Sequence, residues 1–289
     1  MPTQKRPVFS ICVPSCNRGR KAWHLVERLL PEMDDDWELL VLDNASHEET
    51  EFYDQIRMLA ATETRLVYIR HPFNRAFHGN YLASLTTARA PWILLCSDED
   101  WPNLATMRAL LPVMRAKNNL GVLRGTVAPN PADQDKAGFI RQDGFFAAGD
   151  EALLHYGLTN TYMTGTLYHL ALVSEKGLLE RLRTGLEANH IYPHLYLELL
   201  IASQCDIMTT AAVVATKGEP QRAGSNAGQT ARYHSTYSFG NRIDQVVALR
   251  DALVEAVNLV RQPFDRDLFL TMYLRLCSHS FWQLLHNSR

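Results

Sequence analysis

The strongest chemical signal in the chain is Ser97-Asp98-Glu99-Asp100, three consecutive carboxylates directly after the apolar run Trp92–Cys96. Like charges packed together repel, and burial raises the cost. A bound divalent cation relieves it, because Mg²⁺ and Mn²⁺ take oxygen ligands and share one or two carboxylates with a substrate diphosphate. An acidic turn in solvent is the plainer alternative, but the position at a strand end favours a metal–nucleotide site. A second cluster, Asp43-Asn44-Ala45-Ser46, follows another apolar run. A carboxylate there can accept hydrogen bonds from a base or ribose, or Asp43 and Ser46 can simply cap a helix. The third is Pro14-Ser15-Cys16-Asn17-Arg18. Pro14 cannot donate to a ladder and so ends its strand; Asn17 and Arg18 could meet a nucleotide, or the segment is a plain turn.

The elements that must position these residues follow from two alternating rhythms. Val8–Pro14, Trp37–Leu42, Arg65–Arg70, Trp92–Cys96 and Leu120–Arg124 read as strands, continuously apolar as in a sheet covered on both faces. Lys21–Leu30, Glu48–Ala60 and Phe77–Ala88 read as the intervening helices, and Asn103 as the cap of a fourth that runs to about Ala116. This is an α/β pattern with a doubly wound, mostly parallel sheet, in which ligands bind at the carboxyl ends of strands. Further on, Val127–Gly149 reads as a long loop, Gly165–Val173 as a strand and Glu175–Arg183 as a short helix. Tyr192–Ser203 reads as a helix, Ile207–Thr216 as a strand and Lys217–Gly228 as a loop, with helices from Asn241 onward. The expected division is 1–125 as a nucleotide-binding half, 126–220 as the other half of the same domain and 221–289 as a helical extension.

Composition bounds the function. The 289 residues are 46% hydrophobic and 21% charged, which excludes a disordered chain, and the net charge of −2 provides no global field for nucleic acid. Five cysteines without a Cys-x-x-Cys pair indicate neither a disulfide framework nor structural zinc. No apolar segment is long enough to cross a bilayer, so a cytoplasmic location is expected, with work at the inner membrane face left open. The helical tail (Phe281, Trp282, Leu284 and Leu285 near its end) suits core packing or a homo-oligomer interface better than membrane docking. No Gly-x-Gly-x-x-Gly follows the first strand, and no P-loop or Gly-x-Ser-x-Gly elbow occurs.

Taken in order, Phe9–Arg18, Glu38–Ser46, Asn74–Asn80 and Trp92–Asp100 resemble the family 2 glycosyltransferases with a GT-A fold. The likeness covers about residues 7–103 well, is looser from about 160 to 220, and fades beyond. It implies sugar transfer from a nucleotide-sugar donor, usually with inversion, to a glycan, lipid-linked or other hydroxyl acceptor, in surface polysaccharide or glycoconjugate assembly. It also implies that Pro14, Asn17 and Arg18 border the nucleotide. Asp43 contacts the base, and Asn74 and Arg75 lie beside the base or diphosphate. Asp98 and Asp100 are the outer members of an Asp-x-Asp motif, flanking Glu99, with Asp100 the leading ligand of Mn²⁺ or Mg²⁺. Many relatives carry a carboxylate at the place of Ser97, so the register of the metal motif is open by one residue, and Ala76 stands where glycine is usual. The acidic run and Tyr192-Pro193-His194 look most like a subgroup that includes transferases for O-antigen side-branch sugars.

Inverting relatives often take their base from a Glu-Asp pair on the acceptor side, and His190–Glu198 has none. His194 is the chosen base, since a histidine accepts a proton near neutral pH. Glu198, four residues on, shares its helical face and could orient it; a structural or acceptor-binding His194 is the alternative. Lys217 and Arg222 could clamp the diphosphate, or be surface charge. Two rival functions are a nucleotidyltransferase, disfavoured by the single glycine in Pro14–Arg20, and a non-catalytic nucleotide- or glycan-binding subunit.

Overall fold

The computed structural model describes residues 6–130, 138–160, 162–188, 192–218 and 239–287. Arg222 and most of Lys217–Gly228 therefore lie outside the described residues. Two compact units are present. The first comprises Met1–Gly144, Tyr162–Leu172 and Met208–Pro220, the second Phe145–Thr161, Val173–Ile207 and Gln221–Arg289.

The first unit holds a mixed α/β sheet, mostly parallel, of the GT-A kind. Strands β1 (Phe9–Ser15), β2 (Trp37–Asp43), β3 (Leu66–Arg70) and β4 (Trp92–Leu95) are joined by crossover helices α1 (Gly19–Leu29), α2 (Thr50–Ala60) and α3 (Ala76–Thr87). All four strands run parallel, with Ser15 opposite Asp43 and Cys12 opposite Leu95. Asn103 caps α4 (Leu104–Arg115), its side chain accepting from Thr106 N at 3.0 Å, and Pro112 is accommodated inside that helix. With β5 (Trp101–Pro102), β6 (Leu120–Ala128), β8 (Thr166–His169) and β9 (Asp206–Thr216), the order is β3-β2-β1-β4-β8-β6-β9-β5. Here β8 is antiparallel to both β4 and β6. A further short strand, β7, spans Gly144–Phe146.

Two readings of the sequence are corrected. Gly165–Val173 is strand only over Thr166–His169 and then turns into helix α6 (Leu170–Glu175). The stretch Val127–Gly149 is not all loop, since β6 runs to Ala128, Val127 bridges Phe139, and β7 follows. Both errors come from short elements whose apolar periodicity is cut off by their neighbours.

Every residue of β2 and β4 is buried, and β1 is buried but for the half-buried Pro14. Each such aliphatic side chain contributes roughly 1.5–3 kcal/mol relative to exposure. Of the two carboxylates within this wall, Glu38 and Asp43, Glu38 is satisfied at the end of the sheet away from the candidate turns: Ser10 Oγ (2.6 Å) and Arg89 N (3.0 Å) donate to it, and the Arg89 guanidinium pairs with it.

The turns after β1, β2 and β3 each place a non-glycine residue in the left-handed region: Asn17 (φ 55°), Ala45 (φ 57°) and Ala76 (φ 56°). An alanine there costs of order 1–2 kcal/mol. Ala76→Gly is therefore expected to raise the melting temperature by about 3 °C, read by differential scanning calorimetry; an unchanged or lower value would show that the turn is not strained.

The second unit is helical: α5 (Asp150–His155), α7 (Leu178–Ala188), α8 (Pro193–Gln204), α9 (Phe239–Val260) and α10 (Arg266–Asn287). Leu195, Leu249 and Leu276 form its core cluster, with Leu158, Tyr192, Val246 and Tyr273 packed against it. Pro193–Ser203 is buried throughout, as befits a helix apolar on nearly all sides. No helix among the described residues is long and apolar enough to cross a membrane.

Candidate functional site

The candidate turns sit side by side because the parallel register puts the carboxyl ends of β1, β2 and β4 together. Asn17 ties two of them. Its Oδ1 accepts from His47 N (2.9 Å) and Glu48 N (3.2 Å), and its own N–H donates to Ser46 Oγ (2.8 Å). Asp43, fully buried, accepts from Ser46 N at 2.8 Å and from Tyr68 OH at 2.9 Å, with Arg70 Nε at 3.6 Å. It thus anchors the turn and does not cap the following helix, whose N-cap is Glu49, and its place at a strand end also suits contact with a base. Asn44 links this turn to the next: its Oδ1 accepts from Arg75 N (2.8 Å) and its Nδ2 donates to Asn74 Oδ1 (3.0 Å). Asn74 and Arg75 themselves are exposed at the tip of the β3–α3 connection.

The acidic run does not face solvent. Asp98 and Asp100 are 3% and 0% exposed. Ser15 Oγ donates to Asp98 Oδ2 at 2.7 Å, Arg18 Nη2 lies 3.0 Å from Asp98 Oδ1, and the same guanidinium pairs with Glu99. Lys21 Nζ reaches Glu99 at 3.1 Å. Burial pushes the Asp98 carboxyl up to about 6, against the opposing pull of Arg18. Burial likewise raises Asp100, offset by hydrogen bonds from Thr164, Gly218 N and Tyr162. Tyr162 OH lies 2.9 and 2.8 Å from the two Asp100 oxygens, and Gly218 N donates to Oδ1 at 3.0 Å. Burial, and next the Asp100 charge, raise the Tyr162 phenol far above its ordinary value, so it remains a donor.

Lys217, at the end of β9, carries its ammonium over the stacked rings of Phe139 and Tyr162, at 5.4 and 5.5 Å. This puts one of the two candidate diphosphate cations beside the acidic turn.

The donor chemistry of this turn suits a hard divalent cation in one form only. Among the described residues no group of three or more His, Cys, Asp or Glu side chains converges on a point, so Asp98 and Asp100 do not form a ready-made cage. Arg18 pairs with Asp98 and Glu99 and Lys21 with Glu99, Lys217 stands beside the turn, and Asp100 is held by hydrogen bonds from Tyr162 and Gly218 N. Asp98 Oδ1 meets Arg18 as an ion pair without a well-aligned hydrogen bond. These residues fit a site in which one or two carboxylates share the cation with substrate phosphates.

His194 and Glu198 belong to the second unit, in the first turns of α8. His194 is 3% exposed and meets Tyr192 edge-on at 5.6 Å. Glu198, 2% exposed, accepts from Asn160 Nδ2 at 2.6 Å. Tyr192 enters the helix with φ 56°, and Pro193 occupies its first turn.

Sequence reasoning named Ser15 only as a member of the Pro14–Arg18 turn, without a role, and missed Lys21, Tyr53, Tyr68, Tyr162, Thr164 and Gly218. Tyr53 OH bonds Ser15 Oγ at 2.6 Å and accepts from Arg18 N at 3.2 Å. Tyr53 and Tyr68 lie on apolar faces and read as core, and nothing near Tyr162 marks it. Gly218, directly after a β-branched strand, was the one legible signal.

No curated protein sequence matches the chain. Among solved structures, TarS 1–349 of S. aureus superposes with a TM-score of 0.56 at 13% identity, covering 97% of this chain and 88% of that one. TarS 1–349 in complex with UDP-GlcNAc gives 0.58 at 12% identity, with 96% and 92% covered. The mannosyltransferase PcManGT from Pyrobaculum calidifontis, in complex with GDP-Man and Mn²⁺, gives 0.58 at 18% identity, with 96% and 72% covered. These likenesses establish the fold. The sequence profile described as glycosyl transferase family 2 matches residues 10–170, more than half of the chain, and the chain therefore belongs to glycosyltransferase family 2.

Proposed function

We propose that this glycosyltransferase moves a sugar from a nucleoside-diphosphate sugar to a hydroxyl acceptor, with inversion and with the help of a divalent cation. The observation that carries the reading is the convergence of Asp98, Glu99 and Asp100 with Arg18, Lys21 and Lys217 at one end of a parallel sheet. Complexes of two structural neighbours support it, one with UDP-GlcNAc and the other with GDP-Man and Mn²⁺.

In this reading Asp43 and Asn17 hold the base and ribose, with Pro14 as the floor beside them, while Asn74 and Arg75 border the base or diphosphate. Arg18 and Lys217, with Arg222, bind phosphate oxygens by charge. Asp98 and Asp100 would hold the cation, which when bound neutralises charge on the departing diphosphate. His194, oriented by Glu198, takes the acceptor hydroxyl proton. The oxygen then attacks the anomeric carbon as its bond to the diphosphate breaks. The acidic run and Tyr192-Pro193-His194 favour acceptors of the O-antigen side-branch type, in surface polysaccharide or glycoconjugate assembly.

The test is a thermal-shift screen of UDP, CDP, GDP and dTDP with and without Mn²⁺. One nucleotide is expected to raise the melting temperature by several degrees, because saturation at a hundredfold over Kd adds about 2.7 kcal/mol, and Mn²⁺ is expected to enlarge the shift. No shift with any of the four would overturn the reading.

A further inference from the structure

Arg124 is an arginine with no exposure at all, on β6, and the proposed chemistry makes no use of it. A buried guanidinium is costly unless its donors are committed. Its Nη1 donates to the Thr164 carbonyl at 2.5 Å and to Thr166 Oγ1 at 2.7 Å. Both acceptors lie at the start of β8, the antiparallel strand inserted between β4 and β6. The backbone there is drawn tight, with Gly165 at φ 96° against the guanidinium and Gly125 N donating to Gly165 O at 3.0 Å.

Thr164 is 1% exposed, and its hydroxyl spans the acidic turn from end to end. It accepts from Ser97 N at 3.0 Å and reaches the Asp100 carboxylate as a donor. A hydroxyl has one proton and two lone pairs, so it can do both at once. The turn itself closes with Asp100 N donating to Ser97 O at 3.0 Å. A valine at 164 would match the shape and keep the carbonyl that Arg124 holds, but lose both links.

We propose that Thr164, held in place by Arg124, is a positioning residue that fixes the Ser97–Asp100 turn and aims the Asp100 carboxylate at a divalent cation shared with the donor diphosphate. This rests on the reading of the first unit as a nucleotide–cation site. Groups that orient a metal-binding carboxylate from behind cost 10–100-fold in metal affinity when removed.

The experiment measures Mn²⁺ binding by electron paramagnetic resonance of the free ion. It uses folded full-length protein with the nucleoside diphosphate that shifts the wild type most. Thr164→Val is expected to raise the Mn²⁺ dissociation constant about 10–100-fold, Thr164→Ser to stay within about threefold of wild type, and Arg124→Lys to follow the valine variant. Should Thr164→Val fold poorly, Thr164→Ala adds no bulk and gives the same readout. Wild-type Mn²⁺ affinity in Thr164→Val or Thr164→Ala, or a serine variant as impaired as valine, overturns the proposal while leaving the nucleotide–cation reading in place. A wild type that binds nucleotide and Mn²⁺ in neither assay overturns both.

Discussion

Asp100→Asn is expected to lower sugar transfer about 10³-fold while the protein keeps its fold. The loss would follow from removing an anionic ligand of the divalent cation that neutralises negative charge developing on the leaving diphosphate, and a single group that supports such stabilisation is worth about 10²–10³ in turnover. The fold should survive because the amide can reuse the cradle: its oxygen accepts from Gly218 N, and its nitrogen donates to a rotated Tyr162 hydroxyl. Stability should even rise slightly near neutral pH. Burial raises the Asp100 pKa in the folded chain, so the native state holds the proton longer than the unfolded one. Stability is then lost as pH climbs through that range, and an asparagine is spared the loss. Coupled detection of released nucleoside diphosphate, with calorimetry on the same samples, checks both halves. Full turnover in the variant would remove Asp100 from the reaction.

Gly218→Ala should damage both stability and activity, through sterics rather than charge. A Cβ at this position would overlap the Glu99 carbonyl, a backbone atom that cannot rotate away. The end of β9 lies directly on the acidic turn, with Gly218 N bonded to Asp100 and Lys217 N bonded to Ala128 O. Overpacking of this kind costs about 1–3 kcal/mol, here a fall of roughly 5 °C in melting temperature. Displacing Gly218 also removes a donor from Asp100 and shifts Lys217, so kcat/KM should fall about 10²-fold. Steady-state kinetics against nucleotide-sugar concentration would separate the effects. A variant with normal kinetics would mean that β9 does not need to touch the turn for catalysis.

How much of this could be read from sequence differs by element. The strands β1, β2 and β4 and their helices were legible because each is a long, uniformly apolar or strongly periodic segment. Parallel pairing then brings their carboxyl ends together, so Pro14–Arg18, Asp43–Ser46 and Ser97–Asp100 could be named as neighbours without coordinates. The two-residue β5 was not legible, and β8 was legible as a strand but not in its extent, since a few residues give too little periodicity to outvote their flanks.

The charge of the acidic run, and its place at a strand end, were determined by the amino-acid sequence alone. Which way each carboxylate turns was decided by tertiary structure. Asp98 is claimed by Ser15 at the end of β1 and Arg18 in the turn after it, and Asp100 by Tyr162, Thr164 and Gly218 from segments 62 to 118 residues away. Those partners are brought in by strands β8 and β9, which join the sheet out of chain order. A hydrogen bond between groups so far apart in the chain depends on sheet order, and no local pattern of residues encodes that order.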